Sequence, residues 1–495
     1  MSRSRWRITR GAACACVLVG IILGLSSRVR AEERDGHDLA AQVKLLAERL
    51  DKVESEARSA RKELVSVKRG MEVQKEEFQA QLKEIRTETV KQLANTAQLL
   101  EDEGGPVVSG LGKVDMAIGA TFVGQTTFDA DDISYAPMTD TQEGDKAELD
   151  YTVDMEFSAP VGDNGLAYLY LEAGEGMGLG SKRSIFAGFN GDAVDTGTNV
   201  NFAEVWYEHR FLDGEFTVNV GKIDPTRFFD ANAVANDETS QFLSGLFVNQ
   251  NTVEFPGYSP GIRLSYAPAD WFEMQGGSFA SDDNGDNYGS DPFVIGEVAF
   301  KPVLFGKRQG NYRFYAWHND AKRPEYRESL FRSFWHDFDR DEKNEGFGLS
   351  FDQELCDYTT AFLRAGWQDE DVAPVSWSWS AGLQANLGWL NNRENDVLGF
   401  AVGQSMISKA YEKSFAPNAV RDFLWGITNG TGGFWRTLRD AGQPDENEFM
   451  AEVYYNYFVN DHLSLTADAQ YVSNPAGLSK ANDLFVLGLR AQLNF

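Results

Sequence analysis

The sequence predicts an all-β transmembrane barrel of about sixteen antiparallel strands, with short turns at one end and long loops at the other, preceded by an α-helical coiled coil. Three observations carry this. From residue 107 onward apolar residues alternate with polar ones in segments of barrel-spanning length, whose outward face would be hydrocarbon. The connections between those segments alternate between short and long. Before them, apolar residues recur four and three apart in a proline-free stretch.

Taken in order, the first element is a segment for export. Residues 1–31 carry Arg3, Arg5, Arg7 and Arg10, then an apolar run from Gly11 to Leu25. That run is too short to span ~30 Å of hydrocarbon, which takes about 20 residues. It ends in Val29-Arg30-Ala31, with small or short residues at the positions a signal peptidase reads. The segment is read as a signal peptide, with an uncleaved anchor as the alternative. Cys14 and Cys16 leave with it, so only Cys356 remains and no intrachain disulfide forms.

Residues 32–105 form the second element, a periplasmic coiled-coil segment. Val43, Leu50, Ala57, Leu64, Met71, Phe78 and Ile85 fall at the a positions of a heptad. Leu39, Leu46, Val53, Ala60 and Val67, then Gln74 and Gln81, fall at d. Leucine at a with valine at d disfavours dimers and points to a homotrimer; a lone amphipathic helix is the alternative. Gly104-Gly105-Pro106 stops the helix.

The third element, residues 106–495, holds sixteen predicted strands: 113–124, 147–159, 165–173, 199–210, 214–221, 261–267, 272–278, 293–300, 310–318, 345–353, 358–367, 376–388, 396–404, 447–458, 463–471 and 484–494. The last is plainest, with Phe485, Leu487, Leu489, Ala491, Leu493 and Phe495 on one face and Arg490, Gln492 and Asn494 among the residues of the other. Turns after even-numbered strands are short, and connections after odd-numbered ones are mostly long, the pattern of periplasmic turns and extracellular loops. Tyr266, Trp271, Trp389, Tyr457 and Tyr471 end the outward sets, as interface girdles do.

Composition agrees with a pore. The chain has 495 residues and a net charge of −29, yet 42% of residues are hydrophobic and 13% aromatic. Without the first 31 residues, whose charges are all arginines, 40 basic groups face 75 acidic ones, or −35. Residues 32–103 account for only 13 against 17, so the acidity belongs to the barrel. A surface this acidic excludes nucleic acid as a partner. A water-filled lumen explains a mean hydropathy of −0.38 in a membrane protein.

The third long connection, residues 222–260, reads Gly221-Lys222-Ile223-Asp224-Pro225-Thr226-Arg227-Phe228-Phe229-Asp230 across its start, followed by Asn236-Asp237-Glu238-Thr239 and Gln241-Phe242. Further on come Gly310-Asn311-Tyr312-Arg313-Phe314-Tyr315-Ala316-Trp317, Gly346-Phe347-Gly348-Leu349-Ser350-Phe351-Asp352-Gln353-Glu354 and Asn460-Asp461-His462-Leu463. With these motifs, residues 107–495 resemble the carbohydrate-selective porin (OprB-like) family of Gram-negative outer membranes. The resemblance does not cover the coiled coil. It implies passive diffusion of mono- or small oligosaccharides across the outer membrane, in contact with its lipid, with no cofactor and no enzymatic activity. In sixteen-stranded porins the third loop folds inward to narrow the channel, which makes 222–260 the expected constriction loop.

Strand parity places Glu204, Trp206 and Glu208 inward, with Arg263 on a neighbouring strand, Arg313, Tyr315 and Trp317 together, Arg364 with Gln368, and Arg490 with Gln492. These are the expected channel-lining, sugar-contacting residues: hydroxyls take charged partners, and the C–H face of a sugar ring takes an aromatic surface. From the loop, Asp224, Arg227, Asp230, Asn236, Asp237 and Glu238 either face those arginines across a constriction or pin the loop to the wall. Catalytic signatures are weak: His37, His209, His318, His336 and His462 show no metal-ligand spacing. A general porin, and a tether from the outer membrane to peptidoglycan through the coiled coil, are the alternative functions.

Overall fold

The structure is a computed structural model; it describes residues 114–495 apart from 129, 131–132, 135–140, 143–144, 184, 198, 283–284, 286–287, 324, 327–341, 389–392 and 414–443. The signal segment, the coiled-coil segment and Trp389 lie outside the described residues.

Sixteen strands close into one antiparallel ring. They are β1 Asp115–Phe128, β2 Ala147–Val161, β3 Gly165–Glu175, β4 Asn201–Phe211, β5 Phe216–Ile223, β6 Ser259–Ala269, β7 Phe272–Ala280 and β8 Pro292–Phe300. There follow β9 Arg308–Arg323, β10 Glu342–Cys356, β11 Thr359–Gln368, β12 Val375–Asn386, β13 Val397–Ile407, β14 Glu448–Asn460, β15 Leu463–Ser473 and β16 Leu484–Asn494. Each pairs with its sequence neighbour, and β1 also pairs with β16, from Gly119 opposite Asn494 to Phe128 opposite Phe485. Phe495 and Ile118 exchange both backbone hydrogen bonds, at 2.9 and 3.0 Å. No strand edge is left to meet lipid.

All sixteen predicted strands are present. Their bounds differ systematically: odd-numbered strands run on past the predicted end, as β1 does to Phe128 and β9 to Arg323, and β10 starts early at Glu342. These extensions lie at the long-loop end, while some even-numbered strands, such as β10, which runs to Cys356, also gain two or three residues at the short turns. At the long loops the strands rise beyond the hydrocarbon, so the outward face no longer needs to be apolar and the alternation that marks a strand fades. The turns 162–164, 212–215 and 357–358 occupy the other end.

Register carries one continuous inward face around the ring. Asp150 lies opposite Val123 on β1, Glu204 opposite Tyr170, Arg263 opposite Asn219, Tyr315 opposite Glu297, Arg364 opposite Ser350 and Ser380, and Arg490 opposite Thr466 and Val123. The other face presents exposed Leu149, Val205, Phe347, Phe400, Leu487 and Leu489, the last 71% exposed. Each such side chain gains ~1.5–3 kcal/mol when an apolar medium covers it, so this belt demands lipid. Tyr266, Trp271 and Tyr457 stand in that face near the short turns, with the Arg393 guanidinium 3.9 Å from the Tyr457 ring centroid. Among the described residues no helix is long and apolar enough to cross a membrane; the strands do so.

Inward aromatics lie flat across cross-strand glycines. A Cβ at Gly399 would sit 2.1 Å from Cε1 of Tyr454, whose hydroxyl donates to Oε1 of Gln384 at 2.9 Å. Only glycine leaves room for that ring.

Candidate functional site

The loop between β5 and β6, residues 224–258, fills part of the barrel interior. Asp224 caps its first turn, its Oδ1 accepting from the Thr226 backbone N–H at 2.9 Å, with Pro225 fixing the backbone behind it. Asp230 then adopts a left-handed backbone, φ 58°, which costs a non-glycine residue and persists only where the surroundings hold it.

Arg364 of β11 holds it. Its Nε donates to Oδ1 of Asp230 at 3.1 Å and its Nη2 to the Asp230 carbonyl at 2.8 Å. Nη1 donates to the carbonyls of Ala235 and Phe247, and Nη2 also to Oδ1 of Asn236. All five guanidinium N–H groups are thus used, four of them on backbone carbonyls or the carboxylate, and the side chain is 0% exposed. Asp230 accepts in addition from the Tyr315 hydroxyl at 3.1 Å and the Gln250 N–H at 2.7 Å, while its own N–H donates to Glu297 at 3.0 Å. Inside the barrel this ion pair is a rivet.

Further side chains repeat the device. Arg490 of β16 donates to the carbonyls of Glu238 at 2.6 Å and Gln241 at 2.9 Å. Glu452 of β14 accepts the N–H groups of Leu243 at 2.6 Å and Ser244 at 3.0 Å. Asp352 of β10 accepts the Ala233 N–H, and the Ser350 hydroxyl donates to the Ala231 carbonyl. Between the rivets the loop buries Phe242 against Phe247, Phe362 and Tyr454, at centroid distances of 5.5, 5.7 and 4.9 Å. The β3–β4 loop joins it, with the Gly191 N–H donating to the Leu243 carbonyl, the Leu246 N–H to the Ala187 carbonyl, and the Ala187 N–H to Glu448.

The residues singled out in the sequence therefore divide. Arg364, Arg490 and Tyr315 face inward as parity predicts, but the loop seals them from the lumen, which corrects the expectation that they contact sugar. Trp317 is buried against Phe293, 5.9 Å between centroids. Asp230 and Asn236 pin the loop rather than line the passage. Arg313 is held by Asp352 at 2.9 Å, and Glu208 by Asn219 at 3.0 Å and Arg210 at 2.7 Å. Sequence reasoning missed Glu297, Glu448 and Glu452; each sits in the inward register of its strand, a signal that parity could have supplied. It also missed the β3–β4 loop, whose Gly-rich, acidic text reads as ordinary outer loop.

A second aromatic and charged cluster, on β3, β4, β6 and the loop, is itself mostly buried, with Glu204, Trp206, Tyr168 and Arg263 covered and only Arg227 and Phe228 opening to solvent. Tyr168 stacks on Trp206, centroids 4.6 Å apart and 21° between planes, and Phe228 meets Trp206 edge-on at 6.2 Å. Arg227 lies over Tyr168 at 4.8 Å, donates to its hydroxyl at 2.8 Å and pairs with Glu204 at 2.7 Å. Glu204 also takes the Trp206 indole N–H and the Asp224 N–H, both at 3.0 Å. Arg263 covers Phe228 at 4.3 Å and donates to Asn219 and Gln275. Toward the long-loop end, Tyr170 donates to Asp154 at 2.7 Å and Tyr258 to Glu172 at 3.0 Å. The rings form a rail with charged groups along its edge.

Acids dominate the remainder. Asp192 accepts from Thr152 at 2.7 Å, and burial, then the charges of Asp154 and Asp150, push its carboxyl up to about 7. Burial, then Asp192, raises Glu238 to about 8. Asp237 is engaged by Thr239 at 2.7 Å and by Ser240. Among the described residues no three Asp, Glu, His or Cys side chains are arranged to hold a metal ion.

Comparisons with known proteins fit this geometry. The family model described as carbohydrate-selective porin, OprB family, matches residues 139–495. The high-pH structure of Pseudomonas putida OprB superposes with a TM-score of 0.62 at 17% identity, covering 77% of this chain and 94% of that one. The outer membrane channel DcaP of Acinetobacter baumannii gives 0.45 at 11% identity, over 78% and 98%. An uncharacterized protein of Aquifex aeolicus is 42% identical over 60 residues; the match spans 12% of this chain and 19% of that relative.

Proposed function

Since this chain belongs to the carbohydrate-selective porin family, OprB, we propose that it sits in a Gram-negative outer membrane and lets mono- or small oligosaccharides diffuse through its lumen. The fold and the family suggest a channel rather than an enzyme. The observation that supports the sugar preference is the open edge of this cluster, where the Arg227 guanidinium and the Phe228 ring reach solvent, backed by buried Tyr168, Trp206, Glu204 and Arg263. Rings of this kind meet the C–H face of a pyranose, while charged groups at their edge bond its hydroxyls more strongly than neutral partners do. Because the loop is tied to the wall, those groups stand preorganised, and a passing sugar need not order them. Proteoliposome swelling tests the reading: glucose or a disaccharide enters faster than an amino acid of equal size, and equal rates make the protein a general porin.

The heptad seam from Leu39 to Ile85 supports a second role. The segment forms a periplasmic coiled coil that holds three copies together and reaches peptidoglycan, coexisting with transport.

A further inference from the structure

Behind the β5–β6 loop, three strands bring together a knot of oxygen atoms with too few donors. Gln125 of β1, Glu452 of β14, and Asp468 and Gln470 of β15 all face inward, at most 4% exposed. Register explains the convergence. Glu452 lies opposite Gln470, while Gly488 of β16 lies opposite both Asp468 and Gln125. With no side chain at Gly488, the two flanking groups close over it; a Cβ there would be 3.4 Å from Oδ1 of Asp468 and 3.6 Å from Cγ of Gln125.

The amides are oriented. Nε2 of Gln125 donates to the Phe189 carbonyl at 3.1 Å and Nε2 of Gln470 to the same oxygen at 2.9 Å. Their Oε1 atoms therefore turn away from that carbonyl, and neither accepts a hydrogen bond; nor does either oxygen of Asp468. Arg490 supplies the neighbouring positive charge, but its Nη groups are spent on the loop carbonyls and Thr466, and its one unpaired donor, Nε–H, cannot serve four unpaired oxygens. Two carboxylates against one guanidinium leave one negative charge in a buried place.

We infer that Gln125, Glu452, Asp468 and Gln470 form a binding site for a small hard cation of the sodium or calcium kind. Carboxylate and amide oxygens are the ligands such ions take, and one bound ion would satisfy acceptors the chain leaves unpaired. With two acids among its ligands it differs from a three-acid metal centre. Because Glu452 also holds the N–H groups of Leu243 and Ser244, occupancy would stabilise the loop's seat.

Thermal unfolding of the full chain in detergent micelles tests this, with sodium or calcium chloride replacing choline chloride at constant ionic strength. The unfolding midpoint of the wild type rises with either ion, by roughly 2–5 °C per tenfold increase above half-saturation. Asp468→Asn and Gln470→Met each flatten the dependence, and the second serves should the first fail to assemble. Equal midpoints in choline and in both metal salts overturn the proposal and assign the knot to water or a shared proton. An ion dependence that survives in both variants also overturns it, placing the ion elsewhere, as at Asp192 and Glu238.

Discussion

Arg364 and Asp230 form an ion pair with both side chains 0% exposed, 3.1 Å from Nε to Oδ1, joining strand β11 to the first turns of the β5–β6 loop. Removing one partner of a buried pair costs ~3–5 kcal/mol because the other charge is left uncompensated. Arg364→Met is expected to free the loop, raise single-channel conductance in planar bilayers and lower the temperature at which the folded band is lost on gels. Conductance unchanged in an assembled variant would mean the loop is held by its apolar contacts alone.

The aromatic rail yields a second prediction. Trp206→Ala removes the ring on which Tyr168 stacks and the donor to Glu204. With a stacking contact worth ~0.5–1.5 kcal/mol, the half-blocking sugar concentration is expected to rise about 2- to 10-fold, while potassium conductance stays the same or increases. Titrating current block with a disaccharide checks it.

The pH dependence follows from Asp192 and Glu238. Both carboxyls are raised, to about 7 and about 8, above the usual carboxylate range. In that range the folded state binds more protons than the unfolded one, so stability falls as pH rises from about 4 through 8. Their deprotonation also adds negative charge at the passage. Reversal potentials in a potassium chloride gradient are expected to become more cation-selective between pH 6 and 9. The double variant Asp192→Asn with Glu238→Gln should flatten that change.

The glycine opposite Tyr454 gives a steric test. Gly399→Val places atoms within the Tyr454 ring, so the hydroxyl bond to Gln384 is lost and barrel yield in refolding falls well below wild type. Gly399→Val with Tyr454→Ala should recover part of that yield.

Deleting residues 32–103 separates the two proposed roles. Channel conductance is expected to persist, while co-sedimentation with purified peptidoglycan is lost.

Much of this architecture was legible in the residues because one solvent boundary dictates it. Lipid forces Phe485, Leu487 and Leu489 onto one face, and a period of two then tells which way Glu204, Arg364 and Arg490 point. Parity, however, reports direction and not cover. Whether Arg364 met water or the Ala235 carbonyl depended on how residues 224–258 folded back, a long-range outcome set by burial of Phe242 and Phe247. The tucked β3–β4 loop was invisible for the same reason: its anchors are backbone groups of Phe186, Ala187 and Gly191, which carry no sequence signal.

The most direct test of the central claim is single-channel current through the wild-type protein as glucose or a disaccharide is titrated against an amino acid of equal size. The account predicts saturable block by the sugar at concentrations where the amino acid has no effect. Equal, non-saturating reductions by both would contradict it.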